Sequence, residues 1–323
     1  MEVNFTNLQR NCSNILEHRS FLMGPEFTIF IDSVLVIVCF LAVFGNIIII
    51  SAILLRNRRR DVDVNHNTFI FIKSLCVADM IVAAFAVPFK LYVNNDIEEL
   101  SNESLCLLGM CVDIASCTSS IFHLLMMSGD RYLAICKPMV HKTLSRYLVY
   151  IAIAISWIVP CLMSFPVIMT KMHLENRDVS CTIEQNICLG TRHNSVFTLI
   201  GSLVSFYIPS IVICIFYYKI FAAVRQRSLN SEHLASSVVS SGTAAAKTIA
   251  VILVCYFICW SPFFIFNVLS IWVDSIPYSM LVSVEMLGYI NSMLNPILYY
   301  RCNKCVKAAV THLLDTILNR ETR

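Results

Sequence analysis

The sequence predicts an all-α integral membrane protein, in which a seven-transmembrane-helix bundle is followed by a short cytoplasmic amphipathic helix. Of the 323 residues, 57% are hydrophobic and only 14% are charged, whereas soluble globular proteins carry roughly 25% charged residues. Seven apolar runs are long enough to cross a bilayer, which takes roughly 20 residues in a helix. The 15 cysteines are scattered and often lie inside these runs, which indicates buried thiols rather than a disulfide scaffold or a zinc ribbon.

The apolar runs define the domain organisation. They lie at approximately Phe27–Leu55, Thr68–Val93, Leu105–Cys136, Tyr147–Met169, Val196–Ala223, Ala244–Trp272 and Tyr278–Tyr300. The polar residues before the first run lack the basic start and the apolar core of a signal peptide, so we expect a retained helix. The predicted parts are an extracellular glycosylated tail over 1–26, the bundle over 27–300, and a cytoplasmic amphipathic helix with its tail over 301–323.

Lysine and arginine predict the orientation of the bundle. Four arginines between positions 56 and 60 follow the first run, and loops rich in such residues lie in the cytoplasm. When Lys90, Lys219 and Lys247 are counted with their nearest loops, 16 Lys and Arg are cytoplasmic and six are outside. Three glycosylation acceptors then lie outside, at Asn4, Asn11 and Asn102. We therefore expect a plasma-membrane protein with an extracellular N-terminus and a cytoplasmic C-terminus.

Two aspartates interrupt the third run, in "CVDIASCTSSIFHLLMMSGDRY" (Cys111–Tyr132). A helix rises about 1.5 Å per residue, so Asp113 and Asp130 lie roughly 25 Å apart and cannot share a site. Asp130 can be neutralised locally by the adjacent Arg131. Asp113 has no basic residue within one turn of its own helix, so it must face the bundle interior or a wet cavity. The alternative for Asp113 is a structural carboxylate, which needs a partner that the sequence does not reveal.

Three motifs follow one another along the chain, "GDRYLAICKP" (Gly129–Pro138), "FICWSPFF" (Phe257–Phe264) and "NSMLNPILYY" (Asn291–Tyr300). They resemble the DRY, CWxP and NPxxY motifs of the rhodopsin-like (class A) G-protein-coupled receptors. Further landmark residues of that family are matched by Asn46, Asp79, Trp157 and Pro209. Each motif alone is weak, but the ordered set covers nearly the whole chain beyond its N-terminal tail.

The resemblance implies an amine ligand. Asp113 lies 18 residues before Arg131, where receptors for biogenic amines carry the aspartate that pairs with the ligand ammonium. A partly desolvated carboxylate suits this role because it forms a strong charge-assisted hydrogen bond with an ammonium. The expected ligand-binding residues are Asp113, Glu285, Tyr289, Trp260, Phe263, Phe264, Cys117, Ile114, Ser202 and Ser205.

The seventh run contains a second acid, Glu285. Glu285 and Tyr289 are four residues apart and share a helix face, which in the resembled fold looks towards Asp113. Carboxylates on opposite walls suit a diamine or polyamine such as putrescine, cadaverine or spermine. The alternative is that Glu285 lies at the helix mouth and meets solvent. Ser202 and Ser205 match serines that bind ring hydroxyls in similar receptors, but they can equally bond their own backbone.

Among amine receptors, "SIFHLLMMSGDRYLAIC" and "LGYINSMLNPILY" look most like the trace-amine-associated receptors. That resemblance implies the disulfides Cys106–Cys188 and Cys12–Cys181, which an oxidising exterior permits. The opposite assignment, Cys106–Cys181, is the alternative, and the spacing of Cys188 to Pro209 favours the first. The chain departs from the pattern in "RCNKC" after NPxxY and in Tyr256, where a Phe is usual. The inner end of the sixth run, "SSGTAAAKT", contains no acid. One restraint on the inactive state is therefore missing, and we expect appreciable basal signalling.

The resemblance also implies partners and a switch. Ligand binding would open a cytoplasmic cavity for a heterotrimeric G protein, with stimulatory coupling, and arrestin would be a further partner. The switch residues would be Asp130, Arg131, Tyr132, Trp260, Pro262, Ile121, Pro209, Tyr256, Asn295, Pro296, Tyr299 and Tyr217.

One cation site is implied as well. A sodium ion that stabilises the inactive state would be held by Asp79, Ser120, Asn291 and Asn295, although a water-filled polar network would use the same residues. We expect no other metal or cofactor, and no nucleic acid. Membrane lipid would contact the bundle, and Cys302 or Cys305 would carry palmitate or remain a plain thiol.

Other classes fit the sequence less well. Within receptors, the runner-up is a monoamine receptor of the serotonin or histamine kind. A retinal protein would need a lysine between Tyr278 and Tyr300, where there is none. A transporter would be expected to show inverted repeats or paired broken helices, which the sequence lacks. No metal-ligand spacing or nucleophile–base spacing indicates an enzyme.

Overall fold

The computed structural model describes residues 24–58, 66–95, 103–170, 172, 194–230, 236–273 and 276–321, and all regular structure among these residues is helical. Seven long helices form a bundle, as predicted. They are α1 (Pro25–Arg58), α2 (His66–Ile81 and Val87–Asn95), α3 (Glu103–Cys136), α4 (Arg146–Met169), α5 (Ser195–Ser202 and Ile208–Asn230), α6 (Ser236–Leu269) and α7 (Tyr278–Cys302). A short helix (Pro138–Thr143) joins α3 to α4, and α8 (Lys304–Glu321) follows α7.

Helix α3 lies at the centre of the bundle, packed against α2, α4 and α5, and α7 packs against α1 and α6. Six of the described helices, α1 to α6, are long and apolar enough to cross a membrane. Helix α7 is less apolar because polar side chains such as Glu285, Asn291 and Asn295 lie along it. Asn291 and Asn295 are buried in the bundle, so the polarity of α7 serves contacts inside the protein.

Helices α2 and α5 each contain a wide π-helical turn, at Val82–Ala86 and Leu203–Tyr207. Each turn is followed two residues later by a proline, Pro88 or Pro209. Proline has no N–H to donate to the preceding turn, and its ring crowds that turn. A π turn accommodates one extra residue and so changes the face on which later side chains lie. In α2, Lys90 lies just beyond this change of phase.

A hydrogen-bonded chain holds α3 against α2 and α4. His123 Nδ1 lies 2.7 Å from the carbonyl oxygen of Ser119, which can only accept, so this nitrogen carries the proton. The Ser74 hydroxyl then donates to His123 Nε2 at 2.7 Å, and Ser74 Oγ accepts from Trp157 Nε1 at 3.1 Å. Trp157, a family landmark in the sequence, therefore has a direct partner on α2 and an indirect one on α3.

The α8 helix turns one apolar face onto the bundle. Val306, Ala309 and Val310 are buried, whereas Leu314 and Ile317 are exposed. The start of α8 is fixed by Asn303, whose side chain accepts from the backbone N–H groups of the second and third following residues. The predicted amphipathic helix is therefore present as a separate element after α7.

Candidate functional site

A cavity of about 240 Å³ opens among α2, α3, α5, α6 and α7, at the end of the bundle that contains Asp113. Its lining contains all ten residues expected to bind the ligand, which are Asp113, Glu285, Tyr289, Trp260, Phe263, Phe264, Cys117, Ile114, Ser202 and Ser205. The structure thus brings together, from four helices, side chains that lie up to 176 positions apart in sequence.

One tyrosine hydroxyl joins the two acids of the cavity. Tyr289 Oη lies 3.0 Å from Asp113 Oδ2 and 3.1 Å from Glu285 Oε1. A phenol has one proton to donate, so the hydroxyl can satisfy only one carboxylate at a time. Asp113 Oδ1 also accepts a weak bond from Cys117 Sγ at 3.4 Å. The prediction that Glu285 and Tyr289 share a face directed towards Asp113 is confirmed.

A lysine completes this cluster, which we call the charged triad (Lys90, Asp113 and Glu285). Lys90 Nζ lies 2.6 Å from Glu285 Oε2. Lys90, which the charge balance counts with the nearest loop as a residue at the end of a span, belongs to the last part of α2 and lines the cavity.

The charge of the triad is unevenly compensated. Lys90 and Glu285 form an ion pair, and their side chains are 18% and 23% exposed. Further ion pairs among the described residues join Asp130 to Arg131 and to His141, and Asp113 itself makes no ion pair within the described part of the chain. The triad therefore has a net charge of −1, and the uncompensated charge lies on Asp113.

The opposite wall of the cavity is polar on α5 and aromatic on α6. Ser202 Oγ accepts from Asn267 Nδ2 at 3.1 Å, and Ser205 Oγ accepts from the Thr118 hydroxyl at 3.4 Å. The two serines thus bond side chains of neighbouring helices. Gly201 also lines the cavity, and a Cβ atom built there would meet no atom within 4 Å.

About half of the lining was not among the residues expected to bind the ligand, although one of them, Ile121, was expected in the switch. The additional residues are Phe89, Lys90, Met110, Thr118, Ile121, Phe197, Thr198, Gly201, Asn267, Ser270, Leu281 and Val282. Most are ordinary residues for a helix interior and carry no signal of their own. Lys90 did carry one, because a lysine inside an apolar run is costly unless it has a partner or reaches water.

Trp260 forms the floor of the cavity and packs closely on α7. A Cβ atom at Gly288 would lie 2.7 Å from Trp260 Cζ3, so glycine is required at this contact. The indole also packs edge-on against Phe263, with ring centroids 6.2 Å apart. Trp260 is 5% exposed, so its indole is enclosed between α7 and the neighbouring aromatic ring of α6.

The expected activation core lies directly below Trp260. Ile121, Pro209 and Tyr256 are all buried. Tyr256, which stands where a Phe is usual, has its hydroxyl 3.0 Å from Ser210 Oγ. This hydrogen bond joins α6 to α5, so the unusual tyrosine has a partner of its own.

The four residues expected to hold sodium are also buried together. Asp79 accepts from the Ser120 hydroxyl at 3.0 Å and from Asn295 Nδ2 at 2.8 Å. Two buried atoms here have no hydrogen-bond partner among the described residues, Asn291 Nδ2 and Asn295 Oδ1. The carboxylate and the orphaned amide oxygen are ligand types that suit a hard cation, and the orphaned amide nitrogen suits water.

At the other end of α3, Asp130 is held from three sides. Arg131 Nη2 lies 3.4 Å from Asp130 Oδ2, Thr68 donates to the same oxygen at 3.1 Å, and His141 Nε2 lies 3.0 Å from Oδ1. The local pairing of Asp130 with Arg131 is as predicted. Thr68 and His141 were not identified from the sequence, because α2 and the short helix after α3 bring them to this site.

The remaining switch residues surround this inner end. Tyr132 stacks on Phe216 with ring centroids 5.2 Å apart. Pro262 and Pro296 lie inside α6 and α7, and Tyr217 and Tyr299 are among the hydrophobic residues packed in the inner half of the bundle.

Several predicted features lie outside the described residues. These are the glycosylation sites Asn4, Asn11 and Asn102, the bridge Cys12–Cys181, and Cys188. Cys106 is buried and disulfide-bonded, but its pairing with Cys188 stays a prediction. Cys302 and Cys305 lie half-buried at the junction of α7 and α8.

Comparison with known proteins places these features in a family. A family model described as "7 transmembrane receptor (rhodopsin family)" matches residues 45–299. The human 5-hydroxytryptamine receptor 4 is 29% identical over 305 residues, which cover 86% of this chain and 77% of that protein. The histamine H2 receptor of Canis lupus familiaris is 29% identical over 302 residues, which cover 90% of this chain and 81% of that protein. This family consists of receptors and not of enzymes, and the relatives are aminergic. The chain belongs to the rhodopsin family of seven-transmembrane receptors.

Proposed function

We propose that the protein is a cell-surface receptor for small extracellular amines, and that it signals through a heterotrimeric G protein. The observation that carries this proposal is the uncompensated carboxylate of Asp113 inside a small, largely apolar cavity. An ammonium group would supply the missing positive charge through a charge-assisted hydrogen bond. The names of the relatives, which denote receptors for 5-hydroxytryptamine and histamine, support an amine ligand.

The cavity also suits the rest of such a ligand. Trp260, Phe263 and Phe264 line it, and their ring faces can contact an alkylammonium or pack against an aromatic body. Ser202 and Ser205 add hydroxyl groups on the opposite wall. A ligand with one ammonium and a compact neutral body would satisfy both the charge and the lining.

A second candidate function is a diamine or polyamine receptor of the trace-amine kind. It is favoured by the shared contact of both carboxylates with Tyr289, which brings two anionic groups to one cavity. A second ligand ammonium would have to share Glu285 with Lys90 or displace it. The first candidate requires no such displacement.

The experiment compares amines with acetylated analogues in which no primary ammonium remains. Purified receptor would be heated with 2-phenylethylamine, tryptamine, histamine or putrescine, and with the N-acetyl derivative of each monoamine or with N,N′-diacetylputrescine. A ligand that binds the folded state raises the unfolding temperature by mass action. We expect stabilisation by at least one amine and none by its acetylated form. Equal stabilisation by both members of every pair, or by neither, would contradict the proposal.

Signalling is tested separately in transfected cells. We propose stimulatory coupling, so the active amine should raise cyclic AMP, and arrestin would be recruited afterwards. We also propose appreciable basal cyclic AMP, because the inner end of α6 has no acid to restrain Arg131. Basal cyclic AMP equal to that of mock-transfected cells would contradict this part.

We further propose that the orientation follows the distribution of Lys and Arg, with the N-terminus extracellular and the C-terminus cytoplasmic in the plasma membrane. A sodium ion held by Asp79, Ser120, Asn291 and Asn295 would act as a negative allosteric modulator. The Ser120 hydroxyl and the Asn295 Oδ1 atom, which has no partner among the described residues, would supply oxygen ligands beside Asp79. Replacing sodium with a large organic cation should then raise amine affinity, and an unchanged affinity would contradict the sodium site.

A further inference from the structure

We propose that Lys90 is the residue that sets the charge selectivity of the cavity: it acts as a built-in cation for Glu285 and so restricts the ligand to a single ammonium. The inference rests on the proposed function and names the ligand class for the same cavity. Its basis is the contact between Lys90 Nζ and Glu285 Oε2, at 2.6 Å. The pair joins α2 to α7 across the mouth of the cavity.

The two oxygens of Glu285 are both engaged within the protein. Oε2 binds Lys90, and Oε1 lies 3.1 Å from the Tyr289 hydroxyl. Among the described residues, the Asp113 carboxylate accepts only from that hydroxyl and from the weakly donating Cys117 thiol. A cation entering the cavity therefore meets one carboxylate that already has an ammonium and another that has none.

The position of Lys90 is supported by its neighbours. Phe89 lies so close to Gly109 of α3 that a Cβ atom at position 109 would overlap its ring. This contact fixes the upper part of α2 against α3, one residue away from Lys90. Both members of the ion pair are mostly shielded from water, where a charge pair attracts more strongly than it does when fully solvated.

The charge of the ligand follows from this arrangement. One ligand ammonium brings the triad from −1 to neutrality. A diamine would bring a second ammonium next to Lys90, and would have to bind Glu285 in competition with a group already attached to the protein. The ligand class is therefore a monoamine whose remaining part is neutral, and diamines should bind poorly despite the second acid.

Lys90→Met tests this inference, because methionine has a similar length and no charge. The probes are butylamine and pentylamine against putrescine and cadaverine, which are matched in carbon number and differ by one ammonium. The readout is the ratio of diamine to monoamine affinity, measured by thermal stabilisation of the purified receptor. We expect this ratio to rise at least tenfold in Lys90→Met.

Two further variants guard against a general loss of folding or affinity. Lys90→Arg keeps the positive charge and should retain the wild-type ratio. The double variant Lys90→Met with Glu285→Gln removes both charges and leaves the cavity at −1, so the ratio should return towards that of the wild type. Because the ratio compares two ligands on one preparation, a uniform loss of stability does not change it.

The outcomes separate this inference from the proposed function. If no amine stabilises the wild type, the proposed function is wrong. If monoamines stabilise the wild type but the ratio is unchanged in Lys90→Met, Lys90 does not set the charge selectivity and the proposed function stands. A wild-type preference for putrescine over butylamine would also overturn the proposed role of Lys90 in charge selectivity.

Discussion

Substitution of Asp113 by asparagine removes the charge on which the proposed ligand site depends, with little change of shape. The amide oxygen of asparagine can still accept from Tyr289, as Asp113 Oδ2 does at 3.0 Å. The amide nitrogen takes the place of Oδ1, whose one hydrogen-bond partner among the described residues is the Cys117 thiol at 3.4 Å. We therefore expect Asp113→Asn to fold and reach the cell surface.

The expected loss follows from the bond that the ligand would make. A hydrogen bond to a charged group contributes roughly 1.5–3 kcal/mol. Since 1.4 kcal/mol corresponds to a factor of ten in affinity, amine affinity should fall roughly 10- to 100-fold. Asp113 is the uncompensated member of the triad, so no other described anion replaces it.

The assay is amine affinity by thermal stabilisation, together with cyclic AMP response at matched surface expression. Asp32→Asn is the matched control, because it makes the same chemical change on α1, at a position that does not line the cavity. Its affinity should stay within about threefold of the wild type, because Asp32 does not line the cavity and cannot contact the ligand. The reasoning is refuted if Asp113→Asn retains wild-type affinity, or if Asp32→Asn loses as much.

Three further predictions concern the surrounding structure. Tyr289→Phe deprives both carboxylates of their shared donor, so the free energy of unfolding should fall by roughly 1.5–3 kcal/mol, measured by denaturation in detergent. In the structure, where Asp130 is paired with Arg131, the Tyr256 hydroxyl is hydrogen-bonded to Ser210 and joins α6 to α5. Tyr256→Phe removes this bond, so basal cyclic AMP should rise. Ser74→Ala leaves a buried imidazole and an indole without their common partner, so unfolding should become easier by about 1–3 kcal/mol.

Each of these has a clear contrary result. For Tyr289, the matched control is Tyr207→Phe. The Tyr207 hydroxyl donates to the neutral carbonyl of Phe264 at 3.2 Å, so its loss should lower the free energy of unfolding by less. An equal or larger decrease in Tyr207→Phe argues against the role of Tyr289 as a shared donor. Unchanged basal cyclic AMP in both Tyr256→Phe and Ser210→Ala would show that this hydrogen bond does not limit basal signalling. A Ser74→Ala protein as stable as the wild type would show that water replaces the hydroxyl.

The seven helices could be predicted from the sequence because length and hydropathy are local properties. The same holds for the contacts within one helix, such as Glu285 with Tyr289, which follow from a spacing of four residues. The resemblance to a known family predicted that the α7 face with Glu285 and Tyr289 looks towards Asp113. In the structure, Tyr289 contacts both carboxylates. What was predictable therefore depended on regular helical periodicity or on the ordered motifs.

The role of Lys90 was not predictable in the same way. The π turn at Val82–Ala86 changes the helix face on which later residues of α2 lie. The local sequence indicates this turn only through the proline that follows it. From the sequence alone, Lys90 is a residue at the end of a span. The charge of the cavity, and with it the expected ligand, depends on its contact with Glu285 of another helix.

The partners of Asp130 and Tyr256 illustrate a second limit. His141 reaches Asp130 from a separate short helix, and Ser210 reaches Tyr256 from α5. Such pairs are set by how the helices pack, and neither residue type signals its partner. Sequence reasoning therefore identified the central residues of the site and of the switch, but not the side chains that hold them.

The most direct test of the account is the structure of the receptor with a bound monoamine, determined by electron cryomicroscopy. The decisive quantity is the distance from the ligand ammonium nitrogen to the nearest Asp113 carboxylate oxygen. We predict about 2.7–2.9 Å, as in charge-assisted hydrogen bonds, with Lys90 still bound to Glu285. An ammonium bound to Glu285 with Lys90 displaced, and with Asp113 contacted only by Tyr289, would contradict the account.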